Sequence, residues 1–130
     1  MKPIRVVLVD DSKVFMDALY SCLAQWDGVE IAGCAASGVE GLSLIESNKP
    51  DLVLMDIFMP VMNGMEASKR IVRHAGLPKV VLMTSLDAPG VQQFALSGTA
   101  DAFMFKQDLF GELEQCIARW FRPQAQGAAQ

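Results

Sequence analysis

Short apolar runs alternate along this chain with stretches in which apolar residues recur every third or fourth position. Ile4 to Val9, Leu52 to Met55 and Val80 to Met83 have almost no polar break, the pattern of strands buried on both faces of a parallel sheet. Val29 to Ala35 reads as a strand with Gly33 inside it, which blurs its limits, and Ala102 to Phe105 as a fifth. Between the strands the spacing predicts helices. Ser12 caps the first, whose inward face is Phe15, Ala18, Leu19, Cys22, Leu23 and Trp26, and Gly28 stops it. Ser37-Gly38 opens the second, with Val39, Leu42 and Ile45 inward, and it ends before Pro50. The third runs from about Met65 to Ala75, with Gly76 as the residue past its end. The fourth takes Asp87 and Pro89 as cap and first turn, runs to about Ser97 and closes at Gly98. The fifth, from about Asp108 to Phe121, buries Leu109, Leu113, Cys116, Ile117 and Trp120 or Phe121.

Five strands alternating with five helices, joined by short right-handed crossovers, predict a three-layer α/β domain around a parallel sheet. It spans residues 1–121. Residues 122–130, mostly Gln, Ala and Gly with one Pro, read as a disordered tail or the start of a linker.

Composition changes this picture little. The chain has 130 residues, 52% of them hydrophobic and 20% charged, which suits one globular domain. A net charge of −4 gives no electrostatic footprint for nucleic acid. The three cysteines, Cys22, Cys34 and Cys116, are far apart and follow no metal-ligand spacing; they read as buried, reduced thiols of a cytoplasmic protein. The start of the chain is too short in apolar residues for a signal peptide, and no run approaches membrane-spanning length.

The chemistry lies at the strand ends. The first strand ends in Asp10-Asp11, the third in Asp56, the fourth in Thr84 and the fifth in Lys106. Parallel strands bring these ends to one rim, where open α/β sheets collect ligands. Two carboxylates ~4 Å apart repel by about 4 kcal/mol at an effective dielectric of 20, so the cluster needs compensation. Oxygen ligands with room for water suit Mg²⁺, and three aspartates, one Mg²⁺ and Lys106 sum to zero charge. Asp56 then has the surroundings of a nucleophile toward phosphorus, with Thr84 and Lys106 as partners for phosphoryl oxygens. The Met59-Pro60 and Asn63-Gly64 pairs stiffen and turn the loop after it.

Asp10-Asp11, Asp56 with Met59-Pro60 and Asn63-Gly64, Thr84 and Lys106 resemble the receiver (response-regulator) domain of two-component signalling, over residues of about 4 to 121. The resemblance implies a flavodoxin-like fold with strand order 2-1-3-4-5, an order the family is known for. It implies that Asp56 is the phosphoacceptor and that Asp11 and Asp56 bind Mg²⁺ directly, Asp10 through water, with the backbone carbonyl of Phe58 as a further ligand. Lys106 and Thr84 would read the phosphoryl group, and Phe103 falls at the switch aromatic. A histidine kinase or phosphotransfer protein would be the donor. A downstream protein, or a second copy, would dock on the face of the fourth helix, fifth strand and fifth helix, with Phe94 and Phe105 in its apolar part. The chain would be no enzyme beyond its own phosphoryl transfer and slow autodephosphorylation.

Three departures stand out. Gln107 follows Lys106 where the family usually has proline, often after a cis bond; Phe103 lacks the hydroxyl of tyrosine; and Phe58 is bulky where the dephosphorylation rate is tuned. Two other readings keep part of this chemistry. One is the receiver part of a DNA-binding transcriptional regulator. The other is a small phosphatase of the haloacid-dehalogenase type, disfavoured because Asp56-Ile57-Phe58 lacks that family's second acid. A flavodoxin-like electron carrier lacks its phosphate loop after the first strand. His74, the only histidine, is expected to be exposed.

Overall fold

The computed structural model describes residues 2–122. The strands are β1 (Ile4–Val9), β2 (Val29–Ala35), β3 (Leu52–Asp56), β4 (Lys79–Thr84) and β5 (Ala102–Phe105). The helices are α1 (Lys13–Leu23), α2 (Gly38–Asn48), α3 (Gly64–Lys69), α4 (Val91–Leu96) and α5 (Leu109–Phe121), the last entered through a short 3₁₀ turn, Lys106–Asp108. All neighbouring strands pair in parallel, in the order β2-β1-β3-β4-β5. This is the three-layer α/β domain that the alternation of runs predicts, in the doubly wound, flavodoxin-like order that the resemblance implies.

Strand alternation divides the core into two layers. Val6 and Leu8 of β1 and Leu52 and Leu54 of β3 face Leu19 and Leu23 of α1 and Leu113 and Ile117 of α5. Val7, Val9, Val53 and Met55 face the opposite layer, with Ile45 of α2, Ala67 of α3 and Ala95 of α4. β3 is buried at every position, as a central strand covered on both sides must be. The Gly33 ambiguity in β2 resolves into an irregularity: Val6 pairs with Ile31 but Val7 with Gly33, so Ala32 is the extra residue.

Several expectations need correcting. Val39 is 60% exposed rather than inward; α2 meets the sheet through Gly38, Gly41 and Ile45. A Cβ on Gly41 would stand 2.8 Å from a Val9 methyl, so only glycine lets the helix this close. α1 buries Met16, Leu19 and Leu23, leaving Phe15, Cys22 and Trp26 partly covered and Ala18 exposed. α3 stops at Lys69, well before Ala75. Gly76 instead shares with Ala75 a turn of positive φ (79° and 56°), closed by paired backbone bonds between His74 and Leu77. α4 begins after Gly90, whose φ of 82° ends the preceding loop, so Asp87 and Pro89 are not its cap. Cys34 is exposed and Cys22 half-buried; only Cys116 is buried. His74 is exposed, as expected. Arg122 donates to the Asp27 carbonyl, and the expected tail beyond it lies outside the described residues. No helix among the described residues is long and apolar enough to cross a membrane.

Candidate phosphoacceptor and metal site

β1, β3, β4 and β5 all end on one rim, and their topology assembles the site. Asp10 follows β1 and turns the chain into α1: its Oδ1 accepts from the Ser12 N–H at 2.8 Å, and the Ser12 hydroxyl accepts from Phe15 N–H at the helix start. Asp56 is the last residue of β3 and pairs with Met83 of β4, placing Thr84 one step beyond. Both are buried, at 6% and 3% exposure, whereas Asp11 is exposed. Lys106 follows β5 and reaches back across the rim. Its ammonium lies 2.7 Å from Asp10 Oδ2 and 3.3 Å from Asp56 Oδ1, so one cation bridges the ends of β1 and β3.

The loop leaving Asp56 is fixed at both ends. Ile57 donates to the Met83 carbonyl at 2.9 Å, and Gly64 donates to the Ile57 carbonyl at 2.6 Å. A Cβ on Gly64 would collide with the Asp56 carbonyl oxygen. Asn63 then opens α3 with a capping box, exchanging bonds with Glu66. Met59 and Met62 anchor the loop in the core, leaving Val61 fully exposed at a φ of 72°.

The charges are not balanced within the protein. One oxygen from each of Asp10, Asp11 and Asp56 lies within 4.8 Å of the others, against a single ammonium. Burial, then the Asp10 charge and more weakly Asp11, push the Asp56 carboxyl up to about 6 from an ordinary 3.8, while Lys106 pulls it down without prevailing. Asp10 Oδ2 is buried, and the Lys106 ammonium at 2.7 Å is its partner. Three convergent carboxylates sharing one ammonium fit a hard divalent cation.

Two features escaped the sequence reading. Lys106 lies 4.3 Å from the centroid of the Phe15 ring, so the first turn of α1 packs against the ammonium. The signal was absent because Phe15 also satisfies the helical period of a core residue. Phe58, 45% exposed, stacks nearly parallel (6°) on Phe94 of α4 at 6.3 Å between centroids, joining the loop after Asp56 to that helix. Phe103 is half-buried and meets Phe105 edge-on at 5.0 Å, on one side of β5 as alternation requires. The Lys106–Gln107 bond is trans; the cis peptide in the described chain is Leu77–Pro78.

Residues 6–118 match the family model described as response regulator receiver domain. The chain belongs to that family. Among curated relatives, it is 36% identical over 102 residues to the transcriptional regulatory protein YhcZ of Bacillus subtilis, covering 78% of this chain and 48% of that one. It is 35% identical to the response regulator GacA of Pseudomonas viridiflava, covering 93% and 56%, and 40% identical to a protein-glutamate methylesterase/protein-glutamine glutaminase of Lawsonia intracellularis, covering 68% and 24%. The receiver chain thus spans about half the length, or less, of these relatives. Of solved structures, the response regulator domain of CheB from Thermotoga maritima superposes with a TM-score of 0.79 at 29% identity, covering 91% of this chain and 96% of that one. As in the family, this receiver belongs to two-component signal transduction, and relatives attach it to both transcriptional regulators and methylesterases.

Proposed function

We propose that this receiver accepts a phosphoryl group on Asp56 from a histidine kinase or phosphotransfer protein, and that the modification alters a protein-binding surface. One observation carries the reading: a buried carboxylate at the end of the central strand, 3.3 Å from Lys106 and clustered with Asp10 and Asp11. An Asp56 oxygen attacks phosphorus, the bond from phosphorus to the donor nitrogen breaks, and the donor imidazole leaves with that electron pair. Lys106 meets a phosphoryl oxygen with positive charge, and the Thr84 hydroxyl, which now accepts from Leu86 N–H at 3.0 Å, donates to another. Asp10, Asp11 and Asp56, with the Phe58 carbonyl, would hold Mg²⁺. Bound there, Mg²⁺ would neutralise the cluster and stabilise charge on the phosphoryl oxygens.

Incubation with a small acyl phosphate and Mg²⁺ should raise the intact mass by one phosphoryl group, and Asp56→Asn should abolish the gain. A stoichiometric adduct on Asp56→Asn would overturn the assignment.

A second reading concerns the whole protein. YhcZ and GacA are about twice as long as the matched region, which favours a receiver that works as one part of a DNA-binding regulator. Immunoblotting the native polypeptide from its source cells separates the two: a mass near 14.2 kDa fits a stand-alone module, and a mass near twice that fits the longer regulator.

A further inference from the structure

The turn after β1 brings two different groups to one cation. Asp10 Oδ1 accepts the Ser12 N–H at 2.8 Å, and the Ser12 hydroxyl accepts the Phe15 N–H at 3.3 Å. The Met16 N–H donates to the Ser12 carbonyl at 2.9 Å. These bonds fix Asp10 and the first turn of α1 as one unit. From it the Asp10 carboxylate reaches the Lys106 ammonium at 2.7 Å, and the centroid of the Phe15 ring lies 4.3 Å from the same nitrogen. The residues on either side of Phe15 point elsewhere, Val14 to solvent and Met16 into the core.

The ammonium has three N–H donors and two carboxylate partners, Asp10 and Asp56. Only 13% of the Lys106 side chain is exposed, and the ring covers a further side of its charge. The two kinds of partner hold it differently. A hydrogen bond to a carboxylate is directional, whereas attraction to the negative face of a ring survives a lateral shift of the cation. To meet a phosphoryl oxygen, the ammonium must leave Asp56 Oδ1 and turn. A further carboxylate in the place of Phe15 would add to the repulsion within the cluster, and an aliphatic side chain would offer contact without attraction. We infer that Phe15 is a positioning residue, whose ring face holds the Lys106 ammonium at the rim while it turns from Asp56 to the incoming phosphoryl group. The inference rests on Asp56 as the phosphoacceptor and adds the residue that aims its cation.

Phe15 also packs against the core layer shared by α1 and α5, so the test separates charge from packing. In the full chain, monofluoro-, difluoro- and trifluorophenylalanine are placed at position 15 by stop-codon suppression. They keep the shape of the ring while weakening its negative face step by step. The rate of phosphorylation by a small acyl phosphate with Mg²⁺, read from intact mass, should fall with each fluorine. The trifluoro ring should reach the rate of Phe15→Leu, about fivefold below wild type, with the final stoichiometry unchanged. Without Mg²⁺ or phosphodonor, the Lys106 methylene protons next to the ammonium, shielded by the ring, should move downfield in Phe15→Leu. A rate that drops in Phe15→Leu yet stays constant across the fluorinated rings would make Phe15 a packing residue and overturn the inference. An unmoved Lys106 signal would overturn it as well. Should Phe15→Leu fail to fold, the fluorinated series decides alone. No phosphoryl uptake by the wild type, or full uptake by Asp56→Asn, would remove the phosphoacceptor reading and this inference together. Uptake on Asp56 at a rate indifferent to every Phe15 variant would remove this inference and leave that reading standing.

Discussion

Asp56 holds its proton to about pH 6 in the folded chain, against an ordinary 3.8. Between those values the native state carries a proton that the unfolded chain has released. Stability therefore falls as pH rises from about 4 to 6, and this contribution is flat above. The gap is worth on the order of 3 kcal/mol at most. Other carboxylates titrate in the same window, so the measurement is the difference between the wild type and Asp56→Asn, by urea unfolding in metal-free buffer. The variant should gain on the wild type between pH 4 and pH 7, and saturating Mg²⁺ should shrink the gain by favouring the ionised carboxylate. A difference independent of pH would show that Lys106 already balances the cluster. Phe15 is the other residue whose role is testable alone. A cation over an aromatic face is worth about 1 kcal/mol when partly desolvated, so Phe15→Leu should slow phosphorylation by a small donor about fivefold while leaving its stoichiometry intact. An unchanged rate would mean that Asp10 and Asp56 alone hold the ammonium.

At the level of elements, the loop from Ile57 to Asn63 separates two kinds of backbone constraint. Gly64→Ala drives a methyl into the Asp56 carbonyl and should cost about 2–3 kcal/mol in thermal or urea unfolding. Val61→Gly should do the reverse, gaining about 0.5–1 kcal/mol, because a β-branched residue at a φ of 72° is strained. The elements legible from sequence were those set by side chains that bury themselves. β1, β3 and β4 announced themselves as apolar runs, and the strand-end acids followed because parallel topology sends them to one rim. Elements set by glycine or by distant bonds were not legible. The inward face of α2 contains Gly38 and Gly41, which hydrophobic periodicity does not count, so periodicity alone points Val39 inward in their place. The end of α3 is set at long range: Arg73 pairs with Asp101 at 2.7 Å and Thr99 donates to the Ser68 carbonyl at 2.8 Å. Both pull the chain out of the helix, although Ile71 and Val72 prolong its apolar spacing. Phe15 shows the same limit within the site, since one residue satisfied two patterns and the sequence displayed only one.

For the molecule as a whole, the site and the proposed output face meet at β4 and β5. Leu82 pairs with Phe103 and Thr84 with Phe105, so a Thr84 drawn toward a phosphoryl group pulls on the strand beside both aromatics. Phe103→Ala should leave phosphorylation of Asp56 nearly unchanged while reducing the phosphate-dependent gain in partner affinity or self-association, measured by sedimentation or titration calorimetry. Each tenfold of that gain corresponds to ~1.4 kcal/mol of preference between states. An undiminished gain would leave Phe103 a packing residue and make the Phe58–Phe94 stack the stronger candidate for transmission.

The closure of the loop after Asp56 also bears on how such a chain can diverge. Its start is tied to β4 through Met83, and its end is pressed against the carbonyl of Asp56, the proposed phosphoacceptor. An insertion or deletion between those ties would displace Asp56 itself, whereas the fully exposed Val61 side chain is free to vary and Phe58, 45% exposed, answers only to its stack on Phe94. Descendants of this sequence are therefore expected to differ there by substitution and not by length, so that kinetic behaviour can drift one residue at a time over an unchanged backbone.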